Sequence, residues 1–336
     1  MRAYYLTPGD NGSGLEQREV ADPTPGPGEV AVAVRATSLN YRDLMMRRRR
    51  RNGIIPLSDG AGEVVAVGPG VTSVAPGELV AGTFFARWSS GRISATVHDS
   101  ALGGAVDGML AETVVLPEGG VIPVPRGWTA AQAATLPCAA LTAWNALVEG
   151  QPLRAGQTVL LLGTGGVSVF GLQFAAMMGA RTIITSSSED KLARMRQLGA
   201  DVVINYTERP DWDQAVLEAT NGVGVDLVLE VGGAGTLAAS MACTRFGGHI
   251  ALIGILSGVA GEVNPGLLVG RSMDLRGVYV GSREMFAAMN AAIDHKGLEP
   301  LIDRVFPFEE ADAAYRHLES QAHIGKVVVA VGDGAS

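Results

Sequence analysis

The chain has 336 residues, more than one hydrophobic core usually serves, so two domains are expected, with one large α/β unit as the alternative. Hydrophobic residues make up 47% of it, aromatics only 5%, and 45 positions are glycine, which excludes a disordered chain and suits an α/β protein rich in tight turns. The 26 basic and 34 acidic side chains leave a formal charge of −8, which argues against a nucleic-acid or membrane-surface partner of the general basic kind.

Up to residue 126 the chain is a series of short alternating or β-branched runs closed by Gly and Pro: MRAYYL, EVAVAVRATSL, GEVVAVG, ELVAGTFF, MLAETVVL and VIPVP. These predict a small all-β domain. From Trp128 the pattern turns Ala-rich and helical in TAAQAATLPCAALTAWNALVEG. Strands are then expected at Thr158–Leu162, Thr182–Thr185, Asp201–Asn205, Val225–Glu230, His249–Ile253 and Leu275–Val280, with helices between the first five near 166–178, 189–198, 211–220 and 234–244. Such alternation predicts parallel strands with right-handed crossovers, a doubly wound sheet whose ligands bind outside the carboxyl ends of the strands.

After Gly281 come a helix (Glu284–His295), a strand (DRVFPF), a second helix (Glu309–Ser320) and a closing strand (KVVVAV). This tail is more like the β-rich first part than a further βαβ unit. The expected division is therefore a discontinuous β-rich domain of residues 1–127 and 281–336 around a dinucleotide-binding domain of residues 128–280.

The strand TVLLLG runs into Gly163-Thr164-Gly165-Gly166-Val167-Ser168 and then a helix. Gly163 permits a tight turn, Gly165 lets backbone N–H groups approach a pyrophosphate, and the helix N-terminus adds unpaired donors. Ser168 stands where the third glycine of the motif is usual, a departure expected to loosen helix–strand packing slightly. At the end of the second strand, where an acidic residue would bind the adenosine ribose of NAD, the chain reads TIITSSSEDK. Ser186, Ser187 and Ser188 can hydrogen-bond a 2′-phosphate and Lys191 can neutralise it, which favours NADP over NAD. The serines also suit helix capping, and Glu189 is the residue that would favour NAD.

Two cysteines, Cys138 and Cys243, cannot build a disulfide framework, and no Cys/His cluster has metal spacing. No window approaches the roughly 18–20 uninterrupted apolar residues of a membrane span, and MRAYYLTPGDNG has no signal core. A cytoplasmic protein in a reducing compartment is expected.

Several segments together carry a resemblance: LNYRDLMM (39–46), PLSDGAGEVVAVG (56–68), AATLPCAALTAWNAL (133–147), GTGGVS (163–168), LGADVVINY (198–206), GGHIALIG (247–254) and GKVVVAV (325–331). Over its whole length the chain resembles the zinc-independent branch of the medium-chain dehydrogenase/reductases, which includes quinone oxidoreductase-like and enoyl reductase-like enzymes. The resemblance implies a Rossmann domain beside a GroES-like catalytic domain, and a homodimer paired through the edge segment MDLRGVYV. It places Asn40, Ser58 with Asp59, and Cys138 where zinc-dependent relatives carry Cys, His with Glu, and Cys. Asn and Ser are poor zinc ligands, and no Cys lies between residues 1 and 137 to form a structural zinc loop. A catalytic metal is therefore not expected.

Without zinc, a substrate oxygen must be stabilised by hydrogen bonds and a proton must come from a side chain or water. Tyr41 and Arg42 are the nearest donor-bearing candidates, and the resemblance implies that Asn40, Thr142 and Cys138 line the nicotinamide end. Tyr41 can equally be packing, Cys138 a small buried hydrophobe and Asp43 a partner of a backbone turn. By the same resemblance Tyr206, Gly254, Val280, Gly281, Ser282 and Lys326 belong to segments that approach the cofactor. His98 and Trp88 fall in the loop 84–108 that contributes to the substrate cleft in relatives; His98 reads as a proton relay or an exposed loop histidine.

Related enoyl reductases carry a tyrosine after LNxRD, where this chain has Arg47–Arg51 and no tyrosine. The run reads as an extended, solvated loop or, alternatively, as a docking patch for an acyl-carrier or coenzyme A-linked substrate. The expected function is a zinc-free NADPH-dependent oxidoreductase acting on a quinone, enone, enoyl or carbonyl/alcohol substrate. The alternatives are a tailoring reductase for carrier- or CoA-linked substrates and a redox-inactive NADP-binding module.

Overall fold

A computed structural model describes residues 1–9, 12–49 and 52–332 of the chain. They form two compact units, one of Met1–Leu141 with the chain from Val280 onward, the other Thr142–Tyr279. Residues 128–141, grouped with the dinucleotide-binding part by their Ala-rich composition, lie in the first unit. There the Ser38 hydroxyl donates to the Ala134 carbonyl at 2.8 Å. Helical composition identified the element but not the sheet it covers.

The chain begins with strands β1 (Arg2–Gly9), β2 (Gly12–Glu19) and β3 (Glu29–Leu39), helix α1 (Tyr41–Arg48), and strands β4 (Asp59–Val67) and β5 (Leu79–Gly82). Helix α2 (Ala95–His98), strands β6 (Thr113–Pro117) and β7 (Val121–Pro123) and helix α3 (Ala130–Ala133) follow. The second unit contains α4 (Leu141–Val148), β8 (Thr158–Leu162), α5 (Gly166–Met177), β9 (Arg181–Ser186), α6 (Glu189–Gln197) and β10 (Val202–Asn205). It continues through α7 (Trp212–Ala219), β11 (Val225–Glu230), α8 (Leu237–Cys243), β12 (Thr244–Leu252), α9 (Pro265–Arg271) and β13 (Asp274–Gly277). The tail returns to the first unit with α10 (Arg283–Lys296), β14 (Ile302–Pro307), α11 (Ala311–Glu319) and β15 (Lys326–Ala330).

In the first unit seven strands form one sheet in the order β14-β15-β3-β4-β5-β7, with β6 also paired to β3. The register Val327↔Leu39 and Val328↔Ser38 carries the start of β15 to the end of β3, across almost the whole chain. Strand β3, EVAVAVRATSL, is buried along most of its length, and its valines join Tyr4, Leu44, Phe308, Tyr315 and Val327 in one core. A separate hairpin pairs β1 with β2. Polar β2, GSGLEQRE, lacks the apolar alternation that marks the other strands, and its pairing rather than its composition makes it a strand.

The second unit is a six-stranded, all-parallel sheet in the order β10-β9-β8-β11-β12-β13. This is the doubly wound order with its switch point beside the first strand, β8. Near-continuous apolar runs such as TVLLL are buried on both faces, as parallel strands must be. The sixth strand is shorter than expected, ending at Gly277, and Val280 lies outside it with a left-handed φ of +57°. Among the described residues no helix is long and apolar enough to cross a membrane.

Candidate functional site

Within the first unit, the end of β3, the starts of β4 and β15 and a π-helical turn at Leu136–Ala140 bring Asn40, Ser58, Asp59, Cys138 and Lys326 together. The Lys326 side chain is 2% exposed, and its Nζ donates to the Leu39 carbonyl at 2.7 Å and to Asn40 Oδ1 at 2.6 Å. Asp59 is fully buried and its Oδ2 stands 3.6 Å from the same ammonium. The rest of the carboxylate is also satisfied: Oδ1 accepts the Ser58 hydroxyl at 2.7 Å and Oδ2 accepts the Cys138 N–H at 3.2 Å. A buried charge survives only when paired and hydrogen-bonded, and this pair meets both conditions. Burial, and then the neighbouring Asp59, push the Cys138 thiol well above its ordinary pKa, so it is held protonated.

The opening turn of α1 sets the other side of this cluster. Asp43, 1% exposed, accepts the Asn40 N–H at 2.7 Å and lies 3.8 Å from the Arg42 guanidinium. Burial raises the Asp43 carboxyl to about 6, against the opposing pull of Arg42. Arg42 donates to the Leu102 carbonyl at 2.9 Å and lies 4.4 Å from the Phe84 ring centroid. Tyr41 is half-buried, packs on the core and lies beside the Arg48 guanidinium. Of the four residues expected to be catalytic, Asn40 and Cys138 are in the Lys326–Asp59 cluster, while Arg42 is engaged by Leu102 and Phe84 and Tyr41 lies beside Arg48.

The arginine run differs from the expected extended loop. Arg47 and Arg48 end helix α1 and pair with Asp312 at 2.6 Å and Glu319 at 2.9 Å on α11. Opposite charges on a packed neighbour neutralise the repulsion that would have kept the run extended. Arg50 and Arg51 lie outside the described residues. Trp88 is 6% exposed with its indole N–H on the Gly91 carbonyl at 3.0 Å, while His98 ends the short α2 with an exposed side chain.

Two non-glycine residues of the first unit hold positive φ at fully packed positions, Leu57 at +68° and Val280 at +57°. Each such residue costs on the order of 1–3 kcal/mol and persists only where its surroundings over-determine it. Leu57 immediately precedes Ser58 and Asp59. Val280 precedes buried Gly281 and Ser282, whose hydroxyl caps α10 by accepting the Met285 N–H at 3.2 Å.

In the second unit, Gly163 takes the left-handed turn at φ +73°, and a Cβ there or at Gly165 would meet open space rather than protein. Thr164 is buried, whereas Gly165, Gly166 and Val167 are half-buried at the start of α5. Ser168 does not loosen the packing. Its buried hydroxyl donates to the Leu162 carbonyl at 2.6 Å, and the close helix–sheet contact falls instead at Gly171, where a Cβ would lie 2.8 Å from both Leu161 and Leu229.

At the end of β9, buried Ser186 accepts the Ser188 N–H at 3.3 Å, and Ser188 caps α6. Ser187 is exposed, Lys191 half-buried, and Tyr206 follows β10 with its N–H on the Ser186 carbonyl at 3.0 Å. Glu189 accepts from Asn205 at 3.1 Å and lies 3.7 Å from Arg196. Thr142 is buried in α4, and Gly254 lies so close to Val231 that a Cβ would stand 2.0 Å from its carbonyl oxygen.

Sequence reasoning missed Glu230, the fully buried last residue of β11. It accepts the N–H groups of Gly232 at 2.7 Å and Gly233 at 3.0 Å, the Thr236 hydroxyl at 2.6 Å and the Ser240 hydroxyl. This carboxylate holds the loop that leaves the carboxyl end of β11. An acid closing an apolar strand before Val-Gly-Gly was the available signal.

Residues 26–126 match the alcohol dehydrogenase GroES-like domain family, and residues 166–295 match the zinc-binding dehydrogenase family. A zinc-type alcohol dehydrogenase-like protein of Schizosaccharomyces pombe is 42% identical over 91% of this chain and 91% of its own length. The chain belongs to the medium-chain dehydrogenase/reductase superfamily.

Among solved members of this superfamily, a putative alcohol dehydrogenase of Sinorhizobium meliloti superposes with a TM-score of 0.92 at 39% identity, covering 98% of each chain. A structure described as an NAD-dependent alcohol dehydrogenase gives 0.89 at 35% identity, covering 99% of this chain and 100% of the other. More distant are a mycobacterial protein complexed with NADPH, with a TM-score of 0.81 and 29% identity over 98% of this chain and 100% of its own, and an acryloyl-coenzyme A reductase of Metallosphaera sedula, 28% identical over 94% of this chain and 96% of its own. The chain is thus an oxidoreductase of the alcohol dehydrogenase and enoyl reductase type.

The zinc named in one matching family does not fit the donors present. Asn40 and Asp59 are both held by the Lys326 ammonium, Ser58 donates to Asp59, and of the matching ligand positions Asn40, Ser58 and Cys138 only Cys138 carries a good zinc-ligand atom. Zinc needs three good N, S or carboxylate ligands to leave one position open, which this set does not supply. A dinucleotide does fit the second unit, because the open cradle at Gly163 and Gly165 meets the N-terminal amides of α5.

Proposed function

We propose that the chain is a zinc-free, NADPH-dependent oxidoreductase acting on a quinone, an enone or enoyl thioester, or a carbonyl/alcohol pair. One observation carries this reading: a fully packed lysine ammonium is paired with Asn40 and Asp59 in the cluster where, by the resemblance, Asn40, Ser58 and Cys138 stand at the metal-ligand positions of zinc-dependent relatives. The bound nicotinamide supplies the hydride. Gly163, Gly165 and the first amides of α5 hold the pyrophosphate, and Ser186, Ser187, Ser188 and Lys191 receive the 2′-phosphate. Glu189 is already engaged by Asn205 and Arg196, which disfavours its use as a ribose ligand for NAD. The NADPH complex of the mycobacterial relative supports the same choice.

Likeness to an acryloyl-coenzyme A reductase supports a small acyl thioester as one substrate class. Recognition of an acidic carrier by the arginine run is the weaker reading, because Arg47 and Arg48 already have carboxylate partners. Among the described residues edge strand β13 is paired on one side only, and we infer that it pairs with its copy in a homodimer. Sedimentation as a monomer at micromolar concentration would refute the dimer.

The test is loss of NADPH absorbance over a panel of quinones, enones, enoyl thioesters and aldehydes, repeated with NADH and with a chelator. Turnover that prefers NADPH and survives chelation is expected. Loss of activity to the chelator overturns the zinc-free assignment, and a preference for NADH overturns the serine–lysine reading. Cofactor binding without turnover across the panel sinks the oxidoreductase assignment in favour of a redox-inactive binding module.

A further inference from the structure

The Asn40 side chain is half satisfied. Its Oδ1 receives the Lys326 ammonium at 2.6 Å, but its Nδ2 is buried with no hydrogen-bond partner among the described residues. The orientation of the amide follows from chemistry: an ammonium can only donate, so it must face the oxygen, and the NH2 group is turned away. Leaving a buried donor unpaired costs roughly 1–3 kcal/mol. Around it Ser58 and the Cys138 N–H donate to Asp59 and the Asn40 N–H donates to Asp43 Oδ2, while Asp43 Oδ1 is also buried without a hydrogen-bond partner among the described residues, 3.8 Å from Arg42.

We propose that Lys326 is a positioning residue that holds the Asn40 carboxamide so that Nδ2 donates to the carbonyl oxygen of a bound substrate. The proposal rests on the oxidoreductase reading above and reassigns Lys326, which the resemblance had placed in a segment that approaches the cofactor. Buried at 2% exposure and directed at Leu39 and Asn40, its ammonium acts through the amide it orients. A carboxamide N–H is far too weak an acid to give up its proton, so Asn40 stabilises charge on the oxygen and the proton comes from elsewhere. A donor at Nδ2 favours substrates with an acceptor oxygen, a carbonyl conjugated to or bearing the reacting carbon. Removing one such donor typically lowers turnover by about 10²–10³-fold.

The variants that test this are Asn40→Asp, which keeps an oxygen for Lys326 but loses the donor, Lys326→Met, and Lys326→Arg. Two readouts are taken on the full chain. The first is the rate of NADPH oxidation by the best enone or aldehyde of the panel at saturating cofactor. The second is the absorption of 4-dimethylaminocinnamaldehyde bound in the presence of NADP+, which shifts to the red when its carbonyl is polarised and needs no turnover. N40D and K326M are expected to lose the red shift and about 100-fold in rate while binding NADPH within threefold of the natural chain. K326R should recover most of both. A red shift that persists in N40D, or a K326M variant that weakens NADPH binding but not the saturated rate, overturns the proposal. If no substrate is turned over yet the red shift appears and vanishes in N40D, the oxidoreductase assignment fails and the donor assignment stands.

Discussion

Asp43 accepts the backbone N–H of Asn40 at 2.7 Å from a position only 1% exposed. The contact fixes the first turn of α1 and so the residue that faces Lys326, but it places a carboxyl where its charged form is poorly solvated. Burial raises it from 3.8 to about 6. Because the folded value lies above the ordinary one, the favourable contribution of Asp43 is complete below about pH 4 and lost as pH rises through about 6. A shift of this size corresponds to about 3 kcal/mol. Asp43→Asn removes the titration, so the unfolding free energy of D43N relative to the natural chain should rise between about pH 4 and 6 and be flat above about pH 7. Denaturant unfolding of both proteins across that range measures the difference, and a pH-independent gap would refute it.

Glu230 is a buried carboxylate satisfied entirely by neutral donors on the loop and helix that follow β11. Glu230→Gln keeps an oxygen for the Gly232 and Gly233 N–H groups and the Thr236 hydroxyl, but sets an NH2 group against the Ser240 hydroxyl, which must turn its own proton away. The loss of that bond and of the charge on the other three costs about 1–3 kcal/mol. The loop from Gly232 to Thr236 should become less protected, seen as faster amide exchange there, together with weaker NADPH binding. Unchanged exchange in that loop would show that the carboxylate is dispensable.

How legible the site was depended on sequence distance. Strands β8, β9 and β11 and helices α5 and α6 follow local period and capping, and the positions of Gly163 after β8 and Ser188 before α6 could be read directly. The boundary at Leu141 could not, because Ala-rich helices suit either unit and only packing assigns them. Asn40, Ser58 with Asp59, and Cys138 were placed together by the resemblance. Lys326 was not seen as their partner, since its contact with Leu39 spans 287 residues and a lysine opening KVVVAV looks like a surface or ligand cation. Its burial is a product of the β15–β3 register, which no local pattern records.

Cofactor choice turns on a short stretch after β9. If Lys191 neutralises the 2′-phosphate, Lys191→Ala removes one charge-assisted contact and raises the KM for NADPH about tenfold, equivalent to about 1.4 kcal/mol. The KM for NADH should stay within twofold, because NADH has no phosphate there. Steady-state kinetics with both cofactors decides the matter. An equal rise for both would mean that Lys191 serves the adenosine half in general or supports α6.

Ser168 offers a direct check on the phosphate-loop packing, because the usual motif would have glycine there. Its hydroxyl donates to the Leu162 carbonyl at 2.6 Å, while close approach of helix and sheet is met by Gly171. Ser168→Gly therefore restores the familiar motif but removes a buried hydrogen bond and adds backbone entropy to the first turn of α5. The two effects act in the same direction and total about 1–2 kcal/mol of lost stability, with no gain in NADPH affinity. Thermal unfolding should show a midpoint lower by a few degrees. A stabilised S168G variant would mean that the serine hinders the packing it was expected to loosen, and that its hydroxyl bond is worth less than the closer contact glycine permits.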